Sequence, residues 1–140
     1  MHSEWEKMSL KERGAFILQI GESIRQYGNK ELLLLFRLML ETGIRLGDVL
    51  ELKDENIKGR ELQVIESKVG EKDYYRNPDG SLPVISEETA KLLVPGEEGK
   101  FFHHDKRYYN MMLKKIISNK QISYYHIREY VLDKWMMENL

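Results

Sequence analysis

The segment Thr42-Gly43-Ile44-Arg45 places an arginine where one apolar helix should end and another begin. A guanidinium at such a junction can hold two oxygens of a phosphate through its fork of N–H donors. Asp48 follows one helical turn later, where it could orient the arginine. The alternative is an ordinary surface ion pair between Arg45 and Asp48, and this segment alone leaves both interpretations open.

A second candidate cluster lies near the end of the chain, in Tyr124-Tyr125-His126-Ile127-Arg128. On a helix, with about 100° per residue, His126 lies roughly 200° from Arg128, whereas Tyr125 lies roughly 60° away and shares its face. A phenol can donate a hydrogen bond to a phosphate oxygen, but with a pKa of about 10 it is a poor general base at neutral pH. A tyrosine packed in the core is the structural alternative.

Charge is distributed unevenly along a chain whose net charge is -1. Residues 100 to 128 contain seven basic residues and a single acidic one, Asp105. This stretch offers a basic face to a polyanion, although a solvated helix with exposed lysines would show the same pattern. The candidate DNA contacts are Lys72, Lys106, Arg107, Lys114 and Lys115.

Several function classes are excluded by composition. The chain has no cysteine, so disulfides, thiolate metal sites and cysteine nucleophiles are absent. We predict no metal site, because the adjacent pair His103-His104 would rarely converge on one ion. No apolar run approaches the roughly 20 residues of a membrane helix, and the N-terminus has no signal-peptide pattern, so we predict a cytoplasmic protein without a membrane partner.

A length of 140 residues predicts one domain over residues 1–140. Hydrophobic periodicity predicts that this domain is of α+β class and mainly helical. Helices are predicted at about 9–27, 30–41, a short stretch after Arg45, 86–93, 105–117, and from 123 to the end. Residues 61–66 form the clearest strand pattern. Residues 74–75 and 82–84, which flank a turn at 77–80, complete a predicted antiparallel sheet of three strands.

Residues 42–52 resemble the first signature box of tyrosine recombinases of the phage-integrase type. In that box Thr-Gly, a hydrophobic residue and Arg are followed three residues later by Glu or Asp and then by leucines, and here Arg45 and Asp48 take those places. The family carries a lysine in the turn of a small sheet. Lys68, about two dozen residues after Arg45, matches it, with Lys72 as the alternative. The second box of most members is His-x-x-Arg, and Tyr125-x-x-Arg128 is similar to the variant in integrases of archaeal plasmids and viruses.

The resemblance implies a site-specific DNA recombinase that cuts and rejoins DNA through a phosphotyrosine intermediate. Arg45 and Arg128 would neutralise the pentacoordinate phosphorus, Tyr125 would donate a hydrogen bond, and Lys68 would protonate the leaving 5′ oxygen. The covalent link conserves the bond energy, so no cofactor is implied. The implied partners are double-stranded DNA and other integrase protomers, in the cytoplasm at the nucleoid.

The chain also departs from the family pattern. Members place the nucleophilic tyrosine well beyond the second arginine, whereas this sequence stops at residue 140 and has only Tyr130 after Arg128. Two residues along the same helix, Tyr130 should face away from the arginine. We therefore expect a C-terminally incomplete catalytic domain, without the family's N-terminal core-binding domain, that forms no DNA adduct by itself. The alternatives are a topoisomerase of type IB, a non-catalytic DNA-binding module or regulator derived from an integrase, and a small helical interaction protein.

Overall fold

The computed structural model describes residues 4–67, 70, 72–117 and 121–138. The fold is α+β and mostly helical, as predicted. Its helices are α1 (Glu4–Lys7), α2 (Leu10–Tyr27), α3 (Lys30–Thr42), α4 (Leu46–Leu50), α5 (Glu87–Ala90), α6 (Lys106–Ile116) and α7 (Tyr124–Glu138). Short 3-10 turns lie at Asp54–Asn56 and Glu97–Gly99. In the described part of the chain, none of the helices is both long and apolar enough to cross a membrane.

The long helices begin and end where their capping residues predict. Ser9 and Glu12 form a capping box at the start of α2, in which each side chain accepts a hydrogen bond of 3.1 Å from the other residue's backbone N–H. Asn29 caps α3 through the N–H of Leu32, and Asp105 caps α6 through the N–H of Tyr108. These caps satisfy backbone donors that the first helical turn leaves without partners.

The core is organised around α3, which packs against both α2 and α7. Leu35, Leu38 and Met39 of α3 are completely buried. Burying one such side chain contributes roughly 1.5 to 3 kcal/mol, so the α3–α7 contact is set by the apolar core. This contact brings the C-terminal end of α3, and the turn that follows it, beside the face of α7.

The sheet is smaller than predicted. Within the described residues it has two antiparallel strands, β1 (Ile57–Lys58) and β2 (Glu61–Leu62), with Ile57 opposite Leu62. The strand β1 was not predicted, and the predicted strands at 74–75 and 82–84 are each reduced to an isolated bridge, of Tyr74 with Ile65 and of Val84 with Glu61. Pro83 contributes to this reduction because it accepts a hydrogen bond from Leu62 but has no N–H to donate.

Helix α5 is also shorter than predicted. It begins after Ser86, whose hydroxyl accepts from the N–H of Thr89, but it ends at Ala90 rather than near Leu93. Beyond Ala90 the backbone hydrogen bonds span three residues, as in turns, with Leu93 donating to Ala90. Helix α1 was not predicted, and the other helices agree with the predicted bounds to within a few residues.

Candidate functional site

The turn between α3 and α4 presents Arg45. Gly43 adopts a left-handed conformation with φ 69°, which favours glycine because side chains with a β-carbon rarely adopt it. A β-carbon at Gly43 would also lie only 3.1 Å from the Trp135 ring of α7. Thr42 closes the preceding helix by donating its hydroxyl to the Leu38 carbonyl at 2.6 Å. Arg45 follows in an extended conformation as the residue before α4.

Arg128 of α7 is tied to the same turn. Its Nε donates a 2.7 Å hydrogen bond to the carbonyl of Gly43, so the two signature segments contact each other directly. Among the residues that the structure describes, the two terminal nitrogens of Arg128 have no hydrogen-bond or ion-pair partner. The pKa of Arg128 is lowered by burial and then by the positive charge of Arg45. A half-buried cation held in this way is suited to a bound anion.

Arg45, Tyr125 and Arg128 line one cavity of about 250 Å³. Three of the four predicted catalytic residues are therefore brought together by the fold, although Arg45 lies far in the sequence from Tyr125 and Arg128. The complete lining is Met39, Arg45, Leu46, Gly47, Lys106, Asn110, Ser123, Tyr125 and Arg128. Two guanidinium groups and one phenol at a single cavity can hold the non-bridging oxygens of a phosphodiester.

Tyr125 lies on the cavity side of α7 with Arg128, as the helical spacing predicts, and its ring contacts the ring of the neighbouring His126 edge-to-face, with centroids 5.7 Å apart. Tyr125 is 68% exposed where it borders the cavity. The ring of His126 instead packs edge-to-face on Trp5, with ring centroids 5.4 Å apart. Its Nδ1 accepts a 3.0 Å hydrogen bond from the backbone N–H of Ser123, and burial lowers its pKa. His126 is therefore a packing residue that contacts both Trp5 and Tyr125.

Arg45 has a charged partner that the sequence did not suggest. Its Nη1 forms an ion pair with Glu66, which follows β2, while the arginine side chain remains 42% exposed. The hydrogen bond that Arg45 donates to Glu66 is the main cause that raises the pKa of Arg45. Because Glu66 belongs to a segment with no regular ladder, no motif or periodicity marked it as a contact of the first box.

The prediction that Asp48 contacts the Arg45 side chain needs correction. The Asp48 carboxylate accepts from the hydroxyl of Tyr75 at 2.5 Å and from the backbone N–H of Ser67 at 3.1 Å. The Tyr75 oxygen in turn accepts a 3.4 Å hydrogen bond from the backbone N–H of Arg45. Asp48 thus acts on the Arg45 turn through Tyr75, because its side chain points into the fold.

The same contacts shift two pKa values in opposite directions. Burial raises the pKa of Asp48, but hydrogen bonds from Ser67 and Tyr75 outweigh it, so the pKa is lower than usual. Burial and the Asp48 carboxylate raise the pKa of Tyr75 to about 12. Asp48 is therefore an anion at neutral pH, and Tyr75 is a neutral hydrogen-bond donor.

The candidate general acids are Lys68 and, as the alternative, Lys72. Lys68 lies outside the described residues. Lys72 is described, is exposed, and is not part of the cavity lining. Neither lysine is placed at the cavity by the described structure.

The predicted basic residues of α6 divide into two groups. Lys106 lines the cavity beside the arginines. Arg107, Lys114 and Lys115 are exposed and line a separate shallow depression along α6. Sequence reasoning placed Lys106 with this outer group. The missed signal is its spacing of four residues from Asn110, which also lines the cavity.

Two further predictions concern the orientation of Tyr130 and the metal-binding residues. Tyr130 does not line it, and its hydroxyl lies over Gly14 of α2, where a β-carbon would be only 2.8 Å away. It therefore faces away from Arg128, as predicted. Within residues 4–67, 70, 72–117 and 121–138, no three histidine or acidic side chains form a group that could hold a metal ion.

Comparison with protein-family models, with curated proteins and with solved structures found no match to this chain. The resemblance to tyrosine recombinases rests on the residues of the two boxes.

Proposed function

We propose that this chain is the catalytic domain of a tyrosine recombinase of the integrase type, which binds double-stranded DNA at the cavity of Arg45 and Arg128. The observation that carries the proposal is that Arg45, Tyr125 and Arg128 line this one cavity. The hydrogen bond from Arg128 to the Gly43 carbonyl joins the two boxes and supports it further.

The charge arrangement favours an anionic ligand with several oxygens. Two arginines border the cavity, and the charge of Arg45 contributes to the lowered pKa of Arg128. An anion between the two guanidinium groups would relieve this repulsion. A phosphodiester carries one negative charge over two non-bridging oxygens, so each arginine can bind one of them.

In the proposed reaction a tyrosine oxygen attacks phosphorus, a 3′ phosphotyrosyl bond forms, and the bond to the 5′ oxygen breaks. Arg45 and Arg128 stabilise the charge on the pentacoordinate phosphorus, and Tyr125 donates a hydrogen bond to it. Lys68, or alternatively Lys72, gives its proton to the 5′ oxygen. Rejoining reverses these steps with a 5′ hydroxyl of the partner strand, on DNA held by other protomers in the cytoplasm.

A second candidate is a DNA-binding module that does not cut. The position of Tyr130 favours it, because this tyrosine packs over Gly14 and not at the cavity. Tyr125 is the one tyrosine in the cavity lining, and its place corresponds to the histidine of the second box. A nucleophile for the recombinase reaction would thus come from outside the described residues.

Duplex binding tests the part that both candidates share. We expect fluorescence anisotropy with a labelled DNA duplex to show binding at low salt that weakens steeply as salt is raised, because lysine and arginine contacts release counterions. Lys114→Gln and Lys115→Gln should weaken it. Flat anisotropy curves at low salt would contradict any DNA role.

A nicked suicide duplex separates the two candidates. The chain alone should give no denaturant-resistant adduct on a gel. Protein extended past residue 140 through a downstream tyrosine should give one, and Arg45→Ala or Arg128→Ala should abolish it. An extended protein that binds the duplex but never forms an adduct would favour the non-cutting module.

A further inference from the structure

We propose that Lys106 is a third phosphate-binding cation of the cavity, positioned by Asn110, and that the site takes a phosphodiester monoanion. This inference rests on the proposed function, since it assigns a further residue to the same site. Lys106 is exposed like the other basic residues of α6, but it alone of these lines the cavity, whereas Arg107, Lys114 and Lys115 line the outer depression.

Lys106 enters the cavity from the first turn of α6. It lines the cavity together with Arg45, Tyr125 and Arg128. Its side chain extends over Gly47, where a β-carbon would lie 2.8 Å from Lys106 Cε and 3.1 Å from Nζ. Gly47 lies two residues after Arg45, and because it has no side chain it leaves room there for the Lys106 ammonium.

The ammonium is available to a ligand. Among the described residues, Lys106 takes part in no ion pair, whereas Arg45 is paired with Glu66. Three cationic groups then border one cavity of about 250 Å³, with no carboxylate in its lining. Such a surplus of positive charge favours an anion over a neutral ligand.

Asn110 provides the second, independent observation. It lies four residues after Lys106, on the same face of α6, and it lines the same cavity. Its Oδ1 is buried without a hydrogen-bond partner among the described residues, which is uncommon for a buried oxygen. A lysine ammonium has three N–H donors. It can give one to Asn110 Oδ1 and keep the others for phosphate oxygens, so Asn110 would act as a positioning residue.

The contrast within α6 makes the inference testable. Lys115 is exposed and lines the outer depression with Arg107 and Lys114, and it is not part of the cavity lining. A duplex can contact both groups of residues through successive phosphates. A single small phosphodiester that fits the cavity should depend on Lys106 and be indifferent to Lys115.

The probe is dimethyl phosphate, a phosphodiester monoanion, titrated into the 140-residue chain. NMR follows the Nε–Hε signals of Arg45 and Arg128 and the backbone amide of Gly47. We expect these signals to shift, and Lys106→Gln to weaken binding about tenfold, as loss of one charge-assisted hydrogen bond implies. Lys106→Arg should retain most of the affinity. Lys115→Gln, with the same change of charge on the same helix, should leave it within about twofold of the original.

The outcomes are distinguishable. Equal weakening by Lys106→Gln and Lys115→Gln, or no shift of the arginine signals with the original protein, would overturn the inference even if duplex DNA still binds. A probe that binds in a Lys106-dependent manner while duplex DNA does not bind would support the phosphodiester site and refute the recombinase function. Unchanged backbone amide signals elsewhere in each variant would show that the fold is retained.

Discussion

The two arginines of the cavity are held in different ways. Arg128 lies on α7, is half-buried, and is fixed by a neutral acceptor, the Gly43 carbonyl at 2.7 Å. Arg45 lies on a turn, is 42% exposed, and is paired with the carboxylate of Glu66. The helix packing and a backbone carbonyl thus position the Arg128 guanidinium, whereas the charged side chain of Glu66, from an irregular segment, positions that of Arg45.

In the proposed complex, a phosphate could therefore bind Arg128 without displacing any partner, whereas at Arg45 it would compete with Glu66. The Gly43 carbonyl uses only Nε of Arg128 and leaves its terminal nitrogens for a ligand. Arg45 would exchange or share its Glu66 contact. A partly exposed ion pair is worth about 0 to 1 kcal/mol, which is less than the several charge-assisted hydrogen bonds that a phosphate could form with two arginines.

The largest expected effect is that of Arg128→Ala. It removes the preset guanidinium and its tie to the turn, so we expect duplex affinity at low salt to fall about thirtyfold. Arg45→Ala should lower the same affinity about tenfold, because the guanidinium of Arg45 is already partly engaged by Glu66. Anisotropy measures both. Arg25→Ala, which removes an exposed arginine of α2, is the charge-matched control. A larger loss from Arg45→Ala than from Arg128→Ala would reverse the assignment of the two roles.

A second test addresses how the Arg45 turn is supported. Tyr75→Phe removes the hydroxyl between Asp48 and the Arg45 backbone, and should lower the free energy of unfolding by about 1 to 2 kcal/mol in urea titrations at neutral pH. Because the folded pKa of Asp48 is depressed, its stabilisation is present above the ordinary value of 3.8 and is lost as pH falls through the folded pKa. The difference between variant and original should therefore shrink in acid.

Tyr74→Phe is the control for that experiment, since Tyr74 is an exposed neighbour. It should leave both the neutral and the acidic unfolding free energy nearly unchanged. An equal effect of the two substitutions, or a Tyr75→Phe deficit that persists undiminished below the folded pKa of Asp48, would mean that the contact between Tyr75 and Asp48 does not support the turn.

A smaller effect of opposite sign is expected for Glu66→Gln. Without the carboxylate, Arg45 loses its competing anion, and the pKa of its guanidinium should fall from its raised value. We expect duplex affinity to rise about threefold, in keeping with a weak, partly exposed ion pair. Glu55→Gln makes the same change of net charge at an exposed position and should raise affinity less. Weaker binding by Glu66→Gln would instead make Glu66 a support that holds Arg45 in place.

The same asymmetry explains which features could be predicted from the sequence. Capping residues and apolar spacing placed α2, α3, α6 and α7, and helical periodicity alone put Tyr125 on the face of Arg128 and His126 on the opposite one. These are local properties of regular helices. The described residues between 57 and 85 form two-residue strands and isolated bridges, so no periodic pattern in the sequence specified their neighbours. The pairings of Glu66 with Arg45 and of Tyr75 with Asp48 depend on tertiary placement and were missed.

The smallest expected effect is a change in stability with pH that depends on His126 of α7. Burial depresses the pKa of His126, so its neutral form is favoured in the folded state. As pH falls below its ordinary value of 6.5, the unfolded chain binds the proton more readily, and stability should decrease. The charged groups that act on it are Glu129, Arg13 and Glu6.

His126→Asn keeps an acceptor for the Ser123 N–H while removing the titration, and His104→Asn is the control at an exposed histidine. Urea midpoints measured between about pH 7 and 5 should lose part of their slope only in His126→Asn, over the range that begins at the unfolded pKa. Dimethyl phosphate binding should change little in either variant, because His126 packs on Trp5 away from Arg128 and meets the cavity residue Tyr125 only through an edge-to-face ring contact. A large loss of phosphate affinity specific to His126→Asn would show that the contact of His126 with Tyr125 positions a residue of the cavity.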